Sequence, residues 1–149
     1  MRIATYNIQH GMSHRQRVID GNAPIDLPLM ISVIKELSPD ICGLNEVYGK
    51  GCFPEFNDQP KVIGDALGYE HRFGFAIDFG DEPDGTKKPY GNGIVSKYPI
   101  KECEIIPIPK GDDDAPEYKE PRCILKTVIN CDGRDLCVMV VHIGLSRQE

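Results

Sequence analysis

Apolar and polar positions along this chain fall into short blocks whose period changes repeatedly. Arg2 to Ile8 reads as a strand, yet Asn7, Gln9, His10 and Gly11 follow its apolar opening at once. Leu27, Met30, Ile31, Ile34 and Leu37 then recur at helical spacing. Asp26 stands ready as an N-cap, and Pro28 lies early in the helix, where a missing N–H does no harm. Pro39 stops it. The run Ile41-Cys42-Gly43-Leu44 has the look of a strand covered on both faces, and it ends in Asn45, Glu46, Val47 and Tyr48. A second helix is expected over Pro60 to Leu67, capped by Asp58 and ended by Gly68.

Further strands are expected over Tyr69 to Phe75, Ile94 to Ser96, Glu104 to Ile108, Cys123 to Ile129 and Leu136 to Ile143. The second and third of these read as neighbours linked through Tyr98-Pro99. The last two are joined by an Asp-Gly hairpin signal in CDGRD. The order βαβαβ followed by antiparallel strands predicts an α/β fold, a mixed β-sheet with helices on one face at least. No shift in composition and no repeat divides residues 1–149. Leu136 to Val141 is apolar at every position, which predicts burial on both faces. Two short helices are too few to cover a sheet of six or seven strands, so one face is expected to lack its cover within this chain.

Composition narrows the picture modestly. A length of 149 residues suits one domain with a sizeable core. The formal net charge of −6 counts against non-specific nucleic-acid binding, which rests on Lys and Arg neutralising phosphates. It leaves a phosphate substrate open, because a bound divalent cation supplies positive charge locally. None of the six cysteines forms a C-x-x-C pair, which argues against a zinc ribbon or a thioredoxin-like motif. Cys42, Cys123 and Cys137 lie in apolar runs and are expected as core thiols. No basic leader with an apolar stretch is visible, and no apolar run reaches the roughly 18 residues of a membrane span. The expectation is a cytoplasmic protein.

Three strands end alike, each apolar run passing straight into a chemically able residue: Asn7 in TYNIQHG, Glu46 in GLNEVYG and His142 in VMVVHIGLS. Each has a plain reading, as a turn asparagine, a rim carboxylate and a hydrogen-bonded histidine near the core. Strand ends at one sheet edge lie close together, however. Gathered there, these groups form an oxygen-rich set with one imidazole, suited to a hard cation and a phosphate rather than to zinc.

Five segments in order, RIATYNIQHG, LSPDICGLNEVYG, YGNGIVSKYPI, EPRCILKTVI and VMVVHIGLSRQE, resemble the endonuclease/exonuclease/phosphatase (DNase I-like) superfamily of metal-dependent phosphohydrolases. The resemblance implies a four-layer α/β sandwich of two sheets, of which this chain is similar to the first half. It implies a metal site with Glu46 binding Mg²⁺ or Mn²⁺ and Asn7 orienting the metal–phosphate centre. His142 would contact the scissile phosphate and Arg122 would lie near the substrate. Tyr90 and Asn92 would border the cleft, with His10 beside them. Plain readings stand next to these: a structural arginine, an ordinary turn, a solvated histidine.

The superfamily pattern also includes a G-D-x-N motif and an S-D-H motif, and neither occurs in this sequence. The resemblance therefore implies a single incomplete domain over 1–149, lacking the C-terminal part and poor in hydrolysis by itself. Only one of the two sheets is expected, with an exposed apolar face for a second copy to cover as a homodimer. The substrate would be a phosphorylated small molecule, lipid or nucleic acid, handled by a phosphatase or phosphodiesterase. The alternative is a non-catalytic cation- or phosphate-binding module. Loops at 11–24, 48–58 and 78–89 are expected to carry specificity, and the acidic runs at 78–84 and 112–114 read as solvated loops.

Overall fold

The computed structural model describes residues 1–12, 24–51, 57–80, 87–109 and 120–144. Most of the expected specificity loops, the acidic run at 112–114 and the end of VMVVHIGLSRQE lie outside these residues.

Strand β1 (Ile3–Asn7) passes through a 3₁₀ turn (Gln9–Gly11), and helix α1 (Leu27–Leu37) carries the chain to β2 (Ile41–Tyr48). Asp26 caps α1 by accepting from the Leu29 N–H at 3.0 Å. The helix ends where Ser38 turns left-handed (φ 47°), directly before Pro39. Helix α2 (Gln59–Leu67) is capped by Asp58, which accepts from the Lys61 N–H at 3.1 Å, and Gly68 at φ 69° ends it. Strands β3 (Glu70–Asp78), β4 (Pro89–Ser96), β5 (Ile100–Ile108), β6 (Arg122–Cys131) and β7 (Arg134–Val141) follow. Asp132 and Gly133, both at positive φ, make the tight turn between β6 and β7.

The α/β class holds, with both helices on one face, but the strands divide into two sheets. Four strands in the order β1-β2-β4-β3 form a mixed sheet, β1 and β2 running parallel. Strands β5, β6 and β7 form a second, antiparallel sheet. This corrects two expectations. The strands on either side of Tyr98-Pro99 are not neighbours, because that turn carries the chain from one sheet to the other. The inner face of the first sheet does have a cover in this chain, supplied by β5–β7.

Alternation explains both layers of core. Cys42 and Leu44 of β2 face the helices, where they join Met30, Ile34 and Ile63. Ile41 and Ile94 face the second sheet and pack with Ile100, Leu125, Ile129 and Val140. The sheets approach so closely that a Cβ on Gly43 would stand 3.0 Å from Val140 Cγ2. Strand β7 is buried on one face only. Val140 is 4% exposed and Met139 55%, because β7 is a sheet edge with no layer outside it among the described residues. Cys137 is accordingly exposed, unlike Cys42 and Cys123, which are core thiols as expected. The second sheet is one strand narrower than the first, and Ile3 at the uncovered β1 edge is 54% exposed.

Candidate active site

The strand ends named from the sequence meet at one edge of the sandwich, and a β-bulge aims the central one. The β2–β4 pairing steps from Asn45–Asn92 to Val47–Gly91, which leaves Glu46 as the extra residue at φ 57°. Without the bulge, strict alternation would turn Glu46 toward the helices, in line with Cys42 and Leu44. With it, Val47 takes the core position and the carboxylate swings to the edge. Strand β3 bulges at the same level, between Phe75 and Ile77. Gly91 lies between the two irregularities, where a Cβ would stand 2.0 Å from the Gly74 carbonyl oxygen.

Asn7 satisfies both readings of its stretch. Its Oδ1 accepts from the Gln9 N–H at 3.0 Å, an Asx turn, and its Nδ2 donates to Glu46 Oε1 at 2.8 Å. The two bonds together fix which way the carboxamide points.

His142 follows β7 directly, with Nε2 at 3.7 Å from Glu46 Oε1 and Nδ1 at 3.2 Å from Arg122 Nη1. A guanidinium only donates, so Nδ1 accepts and the ring proton sits on Nε2, facing Glu46. Arg122 also donates to Glu120 Oε2 at 3.1 Å, and its Nε is buried without a hydrogen-bond partner. Tyr90 belongs to the same edge: burial first and then the Glu46 charge push its ionisation well above the usual range.

His10 joins this edge through rings, with centroids 5.0 Å from Tyr48 and 6.0 Å from Tyr90. Burial lowers its pKa, and the Glu46 charge opposes that only in part. Gln9 and His10 both hold left-handed backbone, at φ 46° and 44°, an arrangement that persists only where surrounding structure enforces it. Gln59 is part of that enforcement. Fully buried at the start of α2, it donates to the His10 carbonyl at 2.8 Å and accepts from the Tyr48 N–H at 2.9 Å.

Asn7, Glu46, Tyr90, Arg122 and His142 are thus brought together, with His10 beside them. Asn92 is not at the surface of the cleft. At 2% exposure it lies beneath the site, its carboxamide bonded to Asn45 and to the Cys123 carbonyl. Four participants escaped the sequence reading. Glu120 stood within the quoted EPR, and Asn45 was a polar residue closing an apolar run. Gln59 and Tyr48 gave no signal.

Among the described residues no group of three or more His, Cys, Asp or Glu side chains is arranged to hold a metal. One carboxylate, Glu46, with a carboxamide, an imidazole and a guanidinium around it suits a hard ion that keeps most of its water better than it suits zinc.

Comparison with known proteins agrees with the fold. The model of the endonuclease/exonuclease/phosphatase family matches residues 4–137. A family member from Beutenbergia cavernae superposes with a TM-score of 0.75 at 26% identity, over 95% of this chain and 38% of that one. The mannosyl-6-phosphatase of Bacteroides thetaiotaomicron gives 0.64 at 18% identity, over 99% of this chain and 53% of its own. Humanized TDP2 from D. rerio gives 0.55 at 18%, over 99% and 52%. No curated protein matches in sequence. The chain therefore spans about 38% to 53% of the length of these structures. With the family pattern matched over most of its length, the chain belongs to the endonuclease/exonuclease/phosphatase family.

Proposed function

We propose that this chain carries one half of the active site of a divalent-metal-dependent phosphoester hydrolase, a phosphatase or phosphodiesterase. The observation that carries this reading is the continuous run of groups Asn7–Glu46–His142–Arg122 at the sheet edge. It sets one anchored carboxylate against an N–H donor and a guanidinium, the combination that a hydrated cation and a phosphoryl group require.

Each residue has a distinct part. Glu46 would hold Mg²⁺ or Mn²⁺, which when bound supplies positive charge to the phosphoryl oxygens. Asn7 keeps the carboxylate in one orientation by donating to Oε1. His142 presents its Nε2 proton to an incoming phosphoryl oxygen, and Arg122 fixes that tautomer while adding its charge. Tyr90, kept protonated by burial and the Glu46 charge, would border the cleft.

His142 is not placed to accept a proton from water, since Nδ1 is taken by Arg122 and Nε2 already carries a proton. Binding without turnover is the expected behaviour of the chain by itself. The placement of His142 also favours a second reading, a cation- or phosphate-binding module. Calorimetric titration of Mg²⁺ and Mn²⁺ into wild type and Glu46→Ala, with the same samples assayed on bis-p-nitrophenyl phosphate, tests both. Binding that Glu46→Ala abolishes, without turnover, supports the half-site. Turnover at the rate of a complete family member rejects the division of labour, and absence of metal binding rejects the site.

A further inference from the structure

Two carboxamides, the buried Asn92 and the half-buried Asn45, lie beneath the site and connect the two sheets. Asn45 Nδ2 donates to Asn92 Oδ1 at 2.9 Å and to the Val141 carbonyl at 3.1 Å. Asn92 Nδ2 donates to the Cys123 carbonyl at 2.9 Å, with the Val140 carbonyl at 3.5 Å. Carbonyls only accept, so both amide orientations are fixed. Three of the residues so tied adjoin a site residue: Asn45 precedes Glu46, Val141 precedes His142, and Cys123 follows Arg122. The network thus spans β2, β4, β6 and β7.

Apolar packing between sheets is non-directional and does not by itself fix how far one sheet slides along the other. Hydrogen bonds do. At the opposite end of the sandwich Arg72 Nη2 donates to the Ile100 carbonyl at 3.0 Å, and Glu70 accepts from the Ile100 N–H at 2.9 Å. At the site end the asparagines take that part. We propose that Asn45 and Asn92 are positioning residues that set Glu46 of the first sheet against His142 and Arg122 of the second, a role that rests on the hydrolase reading of the site. The carboxylate and the imidazole meet only if the sheets are held in this alignment.

The test uses the 149-residue chain and reads the His142 ring tautomer by nitrogen NMR, Mg²⁺ affinity by calorimetry and unfolding in urea. Wild type should give one Nε2–H tautomer, and the Asn45 carboxamide protons should exchange far more slowly than those of Gln9. Folded Asn45→Ala should show averaged ring nitrogens and at least about tenfold weaker Mg²⁺ binding. Thr127→Val removes another buried hydrogen bond of the second sheet, Thr127 Oγ1 to the Val138 carbonyl, and should move neither site readout. A folded Asn45→Ala chain with wild-type tautomer and affinity overturns the proposal, leaving the pair a purely structural role. If that variant does not fold, the wild-type measurements decide: mixed tautomers or fast Asn45 exchange overturn it as well. Loss of the hydrolase reading itself appears differently, as wild type that binds no Mg²⁺ while the tautomer response to Asn45→Ala persists.

Discussion

Asn7 Nδ2 lies 2.8 Å from Glu46 Oε1, so the last residue of β1 holds the carboxylate of the bulged residue on its parallel neighbour β2. The bulge alone aims Glu46 outward without choosing its rotamer. Asn7 makes that choice, and the Gln9 N–H in turn fixes Asn7. A partner that orients a metal-binding group commonly contributes about 10–100-fold in affinity. Asn7→Leu is expected to weaken Mg²⁺ binding by that factor in calorimetry. Its exposed position limits the stability loss to about 1 kcal/mol in urea unfolding.

The double bulge makes Gly91 the least replaceable glycine of the first sheet. A Cβ there would meet the Gly74 carbonyl oxygen at 2.0 Å and the Ala76 amide nitrogen at 3.0 Å, both backbone. Neither can turn aside as a flexible side chain would. Gly91→Ala is expected to cost about 3 kcal/mol. Gly68→Ala meets nothing within 4 Å and is penalised only for its positive φ, by roughly 1–2 kcal/mol. Urea midpoints of the two variants should differ in that order.

Much of this was legible in the chain because local rules governed it. The caps Asp26 and Asp58, the stop at Gly68 and the Asp132-Gly133 turn each act within a few residues. The strand-end residues Asn7, Glu46 and His142 stood out because each broke an apolar run. What misled was layering. Strand β7 is apolar at nearly every position, yet it shows Met139 and Cys137 to solvent, since its sequence does not reveal whether a neighbouring layer is present. The turn at Tyr98-Pro99 does not announce a change of sheet. Asn92 resembled a cleft residue because Tyr90, two positions away on the same face of β4, is one, but Asn92 lies deeper along the strand, in line with Ile94 between the sheets. Glu46 was readable as a candidate, while the bulge that delivers it depends on pairing with β4 and has no signature in β2 alone.

Gln59 commits both ends of a fully buried carboxamide to backbone groups of two different segments, the His10 carbonyl and the Tyr48 N–H. Gln59→Leu keeps similar bulk but leaves both groups without that partner. At about 1–3 kcal/mol for each abandoned buried group, a loss of roughly 2–4 kcal/mol is expected. Hydrogen exchange gives the local signature: the Tyr48 amide should lose protection out of proportion to the amides of β6. Uniform loss across the chain would assign Gln59 to general packing instead.

His10 supplies a pH dependence whose sign follows from its burial. Its folded-state pKa lies below the ordinary imidazole value of about 6.5, because burial disfavours the imidazolium more than the Glu46 charge favours it. The unfolded chain therefore binds the proton more readily, and stability rises with pH wherever that is so. The contribution is fully present above about 6.5, where both states are neutral, and is lost as pH falls through the lower, folded-state value. Thermal unfolding from pH 7.5 down to pH 5 should show wild type losing more stability than His10→Gln, which cannot take up the proton. Comparing the two chains cancels whatever pH response they share. Equal losses in both would mean that the imidazole gains enough from Glu46 to offset its burial, and that the strained turn at Gln9 and His10 opens no more easily in acid than at neutrality.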